Sequence, residues 1–191
     1  MTRPVLLVVE DDAGLARQGA QHLISECGVD DVVVANHNGP RQVTLAGDVD
    51  SIEILEKRLT EDGTSVRRLI ISGAFHSPHM EVAVEPLSEF LATLPISAPT
   101  MDVYCNEGAA VYSADPDAIR LQISRQLVTP VDFVDEIEAM YDAGVRTFVE
   151  VGAGHSTTGM IDRILDGREH LAVGLDRPGR HSLTTLQEGV G

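Results

Sequence analysis

The apolar positions of this chain change period several times, and each change marks an element. Val5 to Val9 is an unbroken apolar run of strand length. Leu15, Ala20, Leu23, Ile24 and Cys27 follow at helical spacing, with Gly28 as a stop. Val32 to Ala35 predicts a second strand, the turn-rich Asn36-His37-Asn38-Gly39-Pro40 follows, and Val43 to Ala46 predicts a third. Asp48 is placed to cap a helix that lines up Val49, Ile52, Leu55 and Leu59. Asp62-Gly63 ends that helix, and Val66 to Ile71 supplies a fourth strand.

Strand-helix-strand-strand-helix-strand over residues 4–72 is the split β-α-β order of a ferredoxin-like domain. Beyond it the pattern shifts. Val84, Leu87, Leu91 and Leu94 mark a helix, and Met101 to Tyr104 a short strand. Asp115-Pro116 reads as a cap with proline in the first turn, opening a helix through Ile119, Ile123 and Leu127. Thr129-Pro130 repeats the device before Phe133, Val134, Ile137, Met140 and Tyr141. Thr147 to Val151 predicts a buried strand running into Gly152-Ala153-Gly154, a helix capped by Ser156 and ending near Leu165, and a last strand from Leu171 to Leu175. Residues 73–176 therefore alternate helix and strand as in an α/β sheet, though as an incomplete set. Residues 177–191 read as a linker or tail. The expected class is α/β.

Composition narrows the choices. Of the 191 residues, 43% are hydrophobic and 23% charged, which fits a globular chain. No apolar run approaches the ~20 residues of a membrane helix. The first apolar run meets acids too soon for a signal peptide, so a cytoplasmic location is the default. Cys27 and Cys105 suggest neither a disulfide framework nor a zinc site. A formal charge of −16 argues against nucleic acid. Lys57, Arg58, Arg67 and Arg68 form the densest basic group, either a solvated face or an edge that docks an anionic partner.

The chemistry concentrates at Gly73-Ala74-Phe75-His76-Ser77-Pro78, just after the apolar Leu69-Ile70-Ile71. A histidine in a turn at a strand end can act as a base on a rigid scaffold. His79 stands three residues on, but no third ligand lies nearby in sequence and Pro78 intervenes, so no metal site is expected. Two other patterns are decoys. Glu10-Asp11-Asp12 after the first strand looks like the opening of a response-regulator receiver, yet the only lysine, Lys57, falls in the second helix rather than after a late strand. Gly154-His155-Ser156-Thr157-Thr158-Gly159 is one residue too long for a G-x-S-x-G elbow.

Around His76 the chain resembles malonyl-CoA:acyl-carrier-protein acyltransferases, including the acyltransferase domains of polyketide synthases. Gly73 to Met80 matches the catalytic-histidine motif, with His79 where leucine is usual. Asn36 to Val43 resembles the N-x-P-x-Q segment, in which Asn38 and Gln42 would line the cleft. Asn106 follows Val103-Tyr104 as in the family's strand ending in asparagine. Arg125-Gln126-Leu127-Val128-Thr129-Pro130-Val131 resembles R-Q-L-x-x-P-V, and Glu150 to Gly154 resembles E-V-G-P-G with alanine for proline. Leu175 to Gly179 resembles the exit of synthase-embedded domains.

The resemblance implies that malonyl passes from coenzyme A to an acyl carrier protein through a serine ester. His76 would be the base, and the Gln126 backbone carbonyl would fix its ring. Phe75 would favour malonyl by filling the space an α-methyl needs, a preference worth ~1–3 kcal/mol. No cofactor of its own is implied: the coenzyme A thioester is a substrate, and the carrier protein brings the phosphopantetheine. The serine elbow, oxyanion-hole glutamine and carboxylate-binding arginine of the family have no counterpart in these residues. The expectation is therefore a C-terminal portion that is inactive alone: a fragment, one half of a split enzyme whose N-terminal half is another chain, or a remnant. The alternative is a non-catalytic module that docks carrier protein.

Overall fold

In the computed structural model, β1 (Pro4–Glu10) lies inside a four-stranded sheet and runs antiparallel to both of its neighbours. The structure describes residues 4–10, 17–69 and 73–176, together with 179, 183, 184 and 187. Leu15, the acids at 11 and 12, Ile70 to Ser72, and most of the expected tail lie outside them. Two compact units result, Met1–Glu136 and Ile137–Gly191.

In the first unit the sheet joins β2 (Val33–Gly39), β3 (Gln42–Asp48), β1 and β4 (Ser65–Leu69) in the order β2-β3-β1-β4. Successive side chains of a strand point to opposite faces, and β1 is apolar on both. Leu7 and Val9 join Val43, Leu45, Ala20, Leu23, Ile52, Leu55 and Leu59 in one core, under α1 (Arg17–Cys27) and α2 (Val49–Glu61). Leu6 faces the other way, against Ala35, Ala46 and Ala74. Burying one large aliphatic side chain contributes about 1.5–3 kcal/mol, so this two-sided core dominates the unit. Gly47 is required by packing, because a Cβ there would lie 2.6 Å from Val32 Cγ2.

The structure departs from the sequence reading at several points, among them the strand expected over Met101 to Tyr104, of which only Tyr104 lies in a strand. β2 continues to Gly39 through two register shifts, because its edge finds a partner in Val131: Val131 N donates to Ala35 O and His37 N to Val131 O, each at 2.8 Å. That pairing holds Val131 extended, so α5 (Phe133–Asp142) starts later than a Thr129-Pro130 cap would place it. Thr129 Oγ1 instead donates to Arg125 O at 2.9 Å, closing the end of α4 (Pro116–Arg125). Asp48 occupies the N-cap position of α2 without a capping bond. Asp31 takes that role, accepting from Asp48 N at 2.9 Å and from Ser51 Oγ at 2.6 Å.

Past the sheet come α3 (Glu81–Ala92), the small hairpin β5 (Tyr104–Cys105) and β6 (Ala110–Val111), and α4. Asp115 caps α4 as expected, accepting from Asp117 N at 3.0 Å. Arg120 on α4 donates to carbonyls at the end of the α3 region, Leu91 O at 3.2 Å, which also accepts from Leu94 N, and Leu94 O at 3.0 Å.

The second unit pairs β7 (Thr147–Glu150) in parallel with β8 (Leu171–Gly174) around α6 (Ser156–Ile164). The expected Ser156 cap is replaced by Glu150, whose carboxylate accepts from Thr157 N, Thr158 N and Thr158 Oγ1. Burial works to raise the Glu150 pKa, but the bonds from Thr158 and Thr157 outweigh it and hold the carboxyl below its usual range. Among the described residues no helix is long and apolar enough to cross a membrane.

Candidate functional site

Ala74 anchors the histidine turn. It is fully buried against Leu6, Ala35 and Ala46 on the face of the sheet opposite the helices. Ser77, also fully buried, donates to Ala74 O at 2.6 Å, and Met80 N donates to Ser77 O at 3.0 Å, closing a 3-10 turn at Pro78–Met80. Proline fits that first position because it has no N–H to lose there.

Between these anchors His76 adopts φ +61°, in the left-handed region that favours glycine. That conformation costs roughly 1–2 kcal/mol for a residue with a Cβ. Bonds to one segment hold it. His76 N donates to Leu127 O at 2.9 Å, and Nδ1 lies 2.8 Å from Gln126 O and 3.2 Å from Thr129 O. Both ring partners are carbonyl oxygens, which only accept, so in the neutral ring Nδ1 carries the proton. Nε2 then holds the lone pair and is the atom able to take a proton.

Gln126 follows α4 directly, and its carbonyl is among those a helix end leaves without an internal partner. Its own N–H donates to Gln122 O and Ile123 O, and its side-chain Nε2 donates to Tyr112 Oη at 2.8 Å. Burial raises the Tyr112 phenol, aided by Cys105, Glu136 and Glu107, so it remains a neutral hydroxyl. Asn106, in the β5–β6 turn, donates from Nδ2 to Pro130 O at 3.3 Å. Residues 126–131 thus form a hub that fastens the His76 ring, the Asn106 amide and the edge of β2.

Not every expected site residue joins this hub. Asn38 lies at the far end of β2, and Gln42 opens β3, where its amide donates to Glu10 Oε1. No hydrogen bond links either to His76 among the described residues. Phe75 is partly exposed at 37%, beside the histidine. Thr129 as second ring acceptor and Tyr112 behind Gln126 were not anticipated. The R-Q-L-x-x-P-V pattern covers Thr129 without marking its carbonyl, and Tyr112 carries no local signature.

Three of the four basic residues pair with acids of α2 or with Asp62 just beyond it. Arg68 pairs with Glu56 and Glu53, Arg58 with Asp62 at 3.2 Å and Lys57 with Glu61 at 4.0 Å. The charges of these three are paired locally.

Residues 6–173 match a protein family described as acyl transferase domain. The malonyl CoA-acyl carrier protein transacylase BaeC of Bacillus velezensis, a polyketide biosynthesis protein, is 32% identical over 158 residues, covering 82% of this chain and 54% of the relative. Its counterpart PksC of Bacillus subtilis is 34% identical over 154 residues, covering 79% and 52%. The chain therefore spans about half the length of these curated relatives. Among solved structures, the acyltransferase domain from the second module of the salinomycin polyketide synthase superposes with TM-score 0.85 at 28% identity, over 99% of this chain and 43% of that one. The acyl-carrier-protein S-malonyltransferase of Burkholderia pseudomallei gives TM-score 0.85 at 28% identity, over 98% and 58%.

Proposed function

This chain belongs to the acyl transferase domain family, and on that premise we propose that it is the histidine-bearing portion of a malonyl-CoA:acyl-carrier-protein acyltransferase. The observation that carries the reading is the ring of His76, held at Nδ1 by the carbonyl of Gln126 so that Nε2 is the basic atom. In acyl transfer that atom takes the proton of an attacking serine hydroxyl and returns it to the leaving thiol. The carbonyl end of α4 sets partial negative charge beside a ring that becomes positive during the step. The serine comes from residues outside this sequence.

The finer assignments follow from the same reading. Phe75 favours an acyl group without an α-methyl, and Asn38, Gln42 and Asn106 line the cleft. The coenzyme A thioester is the donor and the phosphopantetheine of a carrier protein the acceptor, with no resident cofactor. Residues 4–72 are the ferredoxin-like small subdomain, supported by the strand order β2-β3-β1-β4. Residues 73–176 belong to the larger α/β-hydrolase-like core, although those up to 136 pack in one unit with the sheet. Residues 177–191 are a linker or tail.

The portion that BaeC and PksC have and these residues lack, carrying the serine elbow, is supplied either by the rest of a longer protein or by another chain. Exposed apolar side chains support a missing neighbour in each unit: Val82, Phe90 and Leu121 in the first, Val149, Val151 and Leu171 in the second. Mixing this chain with the serine-bearing portion of a relative, then following malonyl transfer to carrier protein, tests the reading. Activity should appear only with both pieces and fall about 10²–10⁴-fold with His76→Ala. A folded mixture without activity, or activity indifferent to His76, rejects it.

A further inference from the structure

Three donor groups far apart in sequence converge near the start of α2. Asp31 precedes β2, Asp48 ends β3, and His79 lies in the 3-10 turn just beyond His76. One carboxylate oxygen of each aspartate and one ring nitrogen of His79 all lie within 4.8 Å of one another. No hydrogen bond joins the imidazole to either carboxylate among the described residues. The arrangement is looser than direct contact, yet near the span of ligands sharing one cation, each about 2.0–2.2 Å from it. Sequence proximity offered His79 no companions; the fold brings it two.

The backbone does not use up these groups. Asp31 accepts from Asp48 N, Ser51 Oγ and its own backbone N–H, and a carboxylate with about four acceptor sites keeps one for a further partner. Asp48 sits at the N-cap of α2 in an extended conformation and makes no capping bond. An aspartate that leaves capping to another aspartate has its carboxylate available to a different partner.

We propose that Asp31, Asp48 and His79 form a binding site for a divalent transition metal of the zinc class, with water completing the coordination. One imidazole with two carboxylates suits zinc, whereas magnesium prefers oxygen donors and keeps its water. A cation there ties the turn that carries His76 to the end of the sheet where α2 begins. The site stands independently of acyl transfer.

Calorimetric titration of the metal-free full chain with zinc chloride, and with magnesium chloride in parallel, tests this. One equivalent of zinc should bind saturably, with far weaker magnesium binding. His79→Leu should remove that equivalent and Asp48→Asn weaken it about tenfold or more. His170→Gln, which alters a different histidine–aspartate pair with Asp162, should leave it intact. No saturable zinc binding by the unsubstituted chain, or binding undiminished by His79→Leu, overturns the site. Should His79→Leu fail to fold, Mn²⁺ broadening of amide NMR signals in the unsubstituted chain decides: broadening centred on residues 31, 48 and 79 supports the site, and broadening centred elsewhere rejects it.

Discussion

His76 Nδ1 and the backbone oxygen of Gln126 face each other at 2.8 Å although fifty positions separate them in the chain. The contact exists because Ala74 is packed beneath the sheet on one side of the turn and Val131 is paired with β2 on the other side of the hub. The site is therefore an outcome of one burial event and one backbone pairing, neither of which involves the catalytic chemistry.

His76 keeps a left-handed backbone at a cost that glycine does not bear. His76→Gly and His76→Ala both lose the ring bonds, but only alanine retains the strain. The alanine variant should be less stable by about 1 kcal/mol, read from urea unfolding midpoints. Equal midpoints would show that the turn relaxes on losing the ring.

Gly47 faces Val32 so closely that a Cβ would lie 3.2 Å from its Cα as well as 2.6 Å from Cγ2. Gly47→Ala should destabilise by about 1–3 kcal/mol, and adding Val32→Ala should recover part of that loss. A double mutant no better than Gly47→Ala would place the strain elsewhere.

Leu55 is fully buried in the helix-side core, and Leu121 is 59% exposed on α4. Leu55→Ala should cost about 2–5 kcal/mol, while Leu121→Ala should be near neutral in this chain. If the proposed neighbour covers α4, Leu121→Ala should weaken its association, measured by titrating one piece with the other.

Burial lowers the His37 pKa from the ordinary 6.5, against Asp135 and Asp132, which raise it, and with Arg17, which also lowers it. Its Nδ1 is buried and has no hydrogen-bond partner among the described residues. The unfolded state then binds the extra proton first, so this histidine contributes stability above pH 6.5 that is lost as the pH falls toward the lower folded value. Burial raises the carboxyls of Glu136 and Asp132, which act with the opposite sign. The difference between the unsubstituted chain and His37→Gln, followed from about pH 7.5 to about 5.5, isolates the effect. Parallel curves would remove His37 as the source.

The 191-residue polypeptide contains no G-x-S-x-G elbow. Incubated alone with malonyl-CoA, it should form no serine ester, and intact-mass measurement should show no added acyl group. A stable acyl adduct on a serine of this chain would contradict the assignment of the nucleophile to other residues.

Much of the first unit was legible from the chain. The two-sided apolar run at Val5 to Val9, the helical stripe through Ile52, Leu55 and Leu59, and the Asp115-Pro116 start of α4 are local signals of period and capping, and local physics decides them. The resemblance at Gly73 to Pro78 and at Arg125 to Val131 pointed to His76 and Gln126, which lie in contact. Capping read less well. Asp48, Thr129 and Ser156 all suit a helix start by type, but Asp31 and Glu150 supply the caps at α2 and α6, and Val131 pairs with β2 ahead of α5. A capping side chain is chosen by which acceptor reaches the free N–H groups, and distant segments compete for that place.

The sequence by itself determined most of the strands and helices and carried the motifs of the family, because period and residue type act over a few neighbouring positions. Only the tertiary structure decided the conformation of His76, the second carbonyl at its ring, the Tyr112 contact behind Gln126 and the gathering of Asp31, Asp48 and His79. Each of these joins segments remote in sequence, and their approach is set by how the sheet buries its two faces.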